Sequence, residues 1–121
     1  MLQASIAACH ARAAIAQDTD WTAIASLYGE LVEVTGSPIV ELNRAVAVAM
    51  ADGPQAGLAV VDALVDEPAL RDYHLLPSVR GDLLVKLHRL AEARAAFERA
   101  AGLTANEAER DLLLARAAAC G

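Results

Sequence analysis

The stretch RLAEARAAFERAAGL, residues 89–103, decides the fold. Its hydrophobic spacing is helical, yet most of the positions it would bury are alanine. Ala93, Phe97 and Ala100 fall at i, i+4 and i+7 on one stripe of a helix. Glu92, Arg94, Glu98 and Arg99 take the opposite face, with Arg94 and Glu98 spaced to meet at i, i+4. Alanine at a helix contact lets two backbones approach closely. A small–large–small stripe therefore predicts tightly paired helices.

The rest of the chain supports this reading. Of its 121 residues 56% are hydrophobic but only 3% aromatic, so the core is built from Ala, Leu and Val and an all-α domain is expected. Sixteen acidic residues against ten basic ones give a net charge of −6, and Lys86 is the single lysine. Direct binding of DNA or RNA, which draws its affinity from basic residues on phosphates, is not expected. Cys9 and Cys120 lie near opposite ends without metal-ligand spacing, which suggests a reducing, cytoplasmic setting. Neither a signal peptide nor a long apolar run appears. Helical pattern starts directly at LQASIAACHARAAIA, which reads as an excerpt of a longer protein.

Punctuation divides the chain into about seven helices. The first is expected at Leu2–Ala16. Asp18 or Asp20 then caps a second, from Trp21 to about Val34. Ser37 and Pro38 start a third, a match to the preference for proline in the first turn, and it stops at Asp52-Gly53-Pro54. A fourth spans Pro54 to about Val65. A single-turn piece near Ala69–Asp72 leads to a fifth at about His74–Leu87, with Pro77 tolerated only in its first turn. Residues 89–103 form the sixth. Thr104 and Glu107, in TANE, are read as the capping box of a seventh.

These helices resemble tetratricopeptide hairpins. Gly81, Ala93, Phe97 and Ala100 match the small, small, large, small positions of such a repeat, and Ala45, Gly57, Val61 and Leu64 stand 36 residues earlier. Units at about 2–34, 38–65 and 74–103, with a cap at 104–120, are expected to stack as a right-handed superhelix. A simple Ala-rich bundle is the alternative.

No catalytic, cofactor or metal-binding arrangement emerges. Cys9 and His10 are adjacent and diverge on a helix, and His74 and His88 are too far apart to share a ligand. RGD at 80–82 falls inside an expected helix. Arg44 and Arg80 occupy one register position, where a tetratricopeptide helix normally packs leucine, so an ion pair of Arg44 with Glu41, extended by Arg80, is expected. The concave, partner-binding face would carry Ile39, Leu42, Arg44, Val46 and Met50, then Ser78, Arg80, Asp82, Val85 and Lys86. A small molecule held near Arg44, Arg80 and Tyr73 is a second possibility for this groove.

The run SPIVELNRAVAVAMADGPQAGLAVVDAL, with YHLLPSVRGDLL and NEAER after it, resembles the C-terminal extension of a group of bacterial extracytoplasmic-function RNA polymerase sigma factors. The likeness covers nearly the whole chain. His88 departs from it, standing where the family has glycine in a Leu-Gly-Arg turn. The resemblance implies a regulatory or assembly module docking on its own sigma regions, core polymerase or a signalling protein. Promoter DNA would be contacted only by upstream regions that this chain lacks.

Overall fold

The computed structural model describes residues 20–120, and among them every regular element is helical. Six α-helices follow one another: α1 (Trp21–Thr35), α2 (Pro38–Asp52), α3 (Pro54–Asp62), α4 (Leu75–Lys86), α5 (Leu90–Leu103) and α6 (Glu107–Ala119). A 3₁₀ turn, Pro68–Leu70, sits between α3 and α4. The helix expected at Leu2–Ala16, with Cys9, His10 and Asp18, lies outside the described residues. Six of the seven expected helices are thus seen among the described residues.

Local chemistry explains the boundaries. Asp20 accepts the Ala23 N–H at 3.0 Å and opens α1, which ends at Gly36 with φ +64. Ser37 accepts from Val40 N–H at 3.4 Å and Pro38 takes the first position of α2. The fourth expected segment stops short at Asp62 rather than Val65, giving way to turns. Pro77 falls in the first turn of α4, where its missing N–H costs little. The expected cap of the last helix moves by two residues. Asn106, not Thr104, caps α6, accepting the Glu109 N–H at 2.9 Å. Thr104 remains extended (φ −82, ψ 141). Its buried hydroxyl accepts the Asn106 N–H at 3.3 Å and donates to Glu109 Oε2 at 3.4 Å, the place a capping-box side chain would fill.

By its contacts the chain divides into two compact units, one through Val60 and one from Val61 onward. In the first, α1 packs on α2, and Trp21, Ala25, Leu27 and Tyr28 surround buried Ile24 and Ala47. Gly57 of α3 lies against the α2 backbone: a Cβ there would stand 2.8 Å from the Ala45 carbonyl oxygen and 2.5 Å from Ala49 Cβ. Ala45 is fully buried.

In the second unit α5 packs on both α4 and α6. Ala93, Phe97 and Ala100 are fully buried, so the stripe of the opening stretch is the face that α5 turns inward. Gly81 of α4 meets the Phe97 ring, 2.7 Å from where its Cβ would be. Arg116 of α6 lies over the same ring, 4.5 Å from its centroid. Gly81 is therefore a packing residue, and RGD is no exposed tripeptide. Within each unit a glycine brings neighbouring helices together at the positions marked by the 36-residue spacing.

Candidate functional site

Each register arginine is engaged within its own unit. Arg44 has its stem beside Gly29, whose Cβ would stand 3.8 Å from Arg44 Cδ, and its Nε meets Glu41 Oε1 one turn earlier. The long side chain runs toward the surface, where its head finds the expected carboxylate. Arg80 is engaged within the second unit. Its Nε donates to Asp62 Oδ1 at 3.0 Å, and its Nη2 lies 3.9 Å from Glu92 Oε2. Glu92 is held in turn by Arg89, at 2.6 Å and 3.3 Å. Arg80 thereby anchors a polar network linking the end of α3, α4 and α5.

The face drawn from the sequence needs one correction. Leu42 is 2% exposed and belongs to the core, because α2 turns it inward together with Ala45 and Ala49. Asp82 is half-buried and pairs with Arg116 of α6. Ile39, Val46 and Met50 are 46%, 39% and 44% exposed and form one apolar stripe along α2, with exposed Asn43 between them. Val85 and Lys86 are exposed on α4, and Ser78 is half-buried.

One polar link could not be read from the sequence. His74, at the entry to α4, makes no capping bond; its Nε2 lies 2.6 Å from Glu109 Oε1 on α6. Glu109 thereby ties together the start of α4, the Thr104 hydroxyl and its own helix. Among the described residues no group of His, Cys, Asp and Glu could hold a metal ion, and no helix is long and apolar enough to cross a membrane.

The described architecture is an all-α protein of successive helical hairpins. No family model matches the chain, and no solved structure matches it. It is similar to an uncharacterized protein of Rhizobium meliloti (strain 1021), 47% identical over 108 residues, which are 89% of this chain and 25% of that protein. The chain thus spans about a quarter of the length of this relative.

Proposed function

We propose that the chain is a regulatory, protein-docking extension of a bacterial extracytoplasmic-function sigma factor, with its hairpins stacked as a tetratricopeptide-like superhelix. The observation that carries the reading is the pair of glycine-mediated helix contacts. Gly57 lies on Ala45 and Ala49, Gly81 on Phe97, and both stand at positions that match the small residues of a tetratricopeptide repeat, in a chain whose motifs ELNRAVA, RGDLL and NEAER resemble the sigma-factor extension. The exposed stripe Ile39, Val46 and Met50 offers an apolar surface of the kind protein partners cover. A net charge of −6 favours protein over nucleic acid as the docking partner. A relative that extends well beyond the matched part accords with a module of a larger protein.

The test is a reconstituted transcription assay with the full-length sigma factor that carries this segment, intact and with the segment deleted. The reading expects a changed output from the cognate promoter. Equal output from both forms would refute the regulatory role.

A further inference from the structure

A cleft of about 480 Å³ opens in the second unit between the 3₁₀ turn, α4 and α5, within the size range of about 300–1,000 Å³ typical of small-ligand sites. Its floor is apolar, with Leu70, Leu76 and Ala96 buried beneath it. Three arginines line it, each from a different element: Arg71 after the turn, Arg80 from α4 and Arg99 from α5. Such a grouping runs against the acidic balance of the chain.

The three cations are not equivalent. Arg80 is shared with Asp62 and Glu92. Arg99 makes no ion pair among the described residues; its Nη2 donates to the Arg71 carbonyl oxygen at 3.3 Å, which fixes the turn to α5 and brings both residues to one rim. Arg71 has no ion-pair partner among the described residues. Asp66 is the one carboxylate in the lining, exposed and without a hydrogen bond to either arginine. Two planar guanidinium groups over an apolar floor suit a ligand with a carboxylate at one end and hydrocarbon at the other. Guanidinium meets carboxylate through paired, charge-assisted hydrogen bonds, and the floor takes the apolar body.

We infer that this cleft binds a small organic carboxylate with an apolar body, held by Arg71 and Arg99 and seated on Leu70, Leu76 and Ala96. The site is independent of the transcriptional reading, because its test involves neither polymerase nor promoter.

Octanoate, acetate and 1-octanol are titrated into the isotope-labelled 121-residue chain and followed by amide chemical shifts. Octanoate should shift the signals of Arg71, Ala96 and Arg99 saturably at millimolar concentration, and added salt should weaken it. Acetate lacks the hydrocarbon and octanol the charge, so each should bind at least about tenfold more weakly. Arg71→Gln and Arg99→Gln, both at exposed positions, should each weaken octanoate about tenfold with the helical circular dichroism unchanged. Equal binding of octanol, indifference to both substitutions, or no saturable shift at these amides would overturn the assignment. So would octanoate silence combined with saturable binding of an acidic helical peptide, which would make the cleft a contact for protein.

Discussion

His88 is the described non-glycine residue with a positive φ, at +59. It sits just past α4 in a Schellman turn: Arg89 N–H reaches the Leu84 carbonyl at 2.9 Å, and His88 N–H reaches that of Val85 at 3.0 Å. This is the left-handed position that glycine normally takes. An L-residue there costs about 1–2 kcal/mol, toward the lower end for histidine, which tolerates the region better than most. Glycine removes that strain but loses more backbone entropy on folding, about 0.5–1 kcal/mol relative to alanine. The His88 side chain is exposed and makes no hydrogen bond among the described residues, so nothing else is forfeited. His88→Gly should therefore stabilise the protein by up to about 0.5 kcal/mol, a rise in Tm of up to about 3 °C for a domain of this size. His88→Ala should lower Tm, since alanine keeps the steric cost without histidine's tolerance. Thermal and urea unfolding followed by far-UV circular dichroism measure both. A lower Tm for His88→Gly, or no difference between the Gly and Ala variants, would refute the assignment of strain to this turn.

Two further outcomes follow from the packing. Phe97→Ala removes the fully buried ring that Gly81 and Arg116 both contact, and should cost about 3–5 kcal/mol in urea unfolding. Asn106→Ala removes the acceptor at the start of α6 and should cost about 1 kcal/mol, with Asn106→Ser close to neutral.

The helices and most of their edges were legible because the caps are local chemistry: Asp20, Ser37-Pro38 and Gly53-Pro54 each act on neighbours within one turn. Ala45, Gly57 and Gly81 were legible as contact points because small residues at helical spacing have few other uses. The α6 cap was misread since Thr104 and Asn106 are both good caps, and only the start of the helical backbone at Glu107 decides between them. The Arg44–Glu41 pair lies one turn apart in sequence and could be anticipated. Arg80 could not be, because its partners Asp62 and Glu92 are brought to it by folding. Leu42 was placed on the open face because helical period alone does not say which neighbour covers a residue. The arginine cleft was hidden for the same reason: Arg71, Arg80 and Arg99 share no local pattern.

Helix pairing through absent side chains is tested most directly by adding one methyl group at two helical glycines. At Gly57 it would be driven into the backbone of α2, whereas at Gly102 a Cβ meets nothing within 4 Å. Overpacking costs about 1–3 kcal/mol and the helix propensity of alanine returns about 1 kcal/mol, so Gly57→Ala should lower the unfolding free energy and Gly102→Ala should raise it. Shifts of opposite sign are the predicted result. A Gly57→Ala protein as stable as Gly102→Ala would mean that α2 and α3 do not nest closely, and the repeat geometry would have to be abandoned.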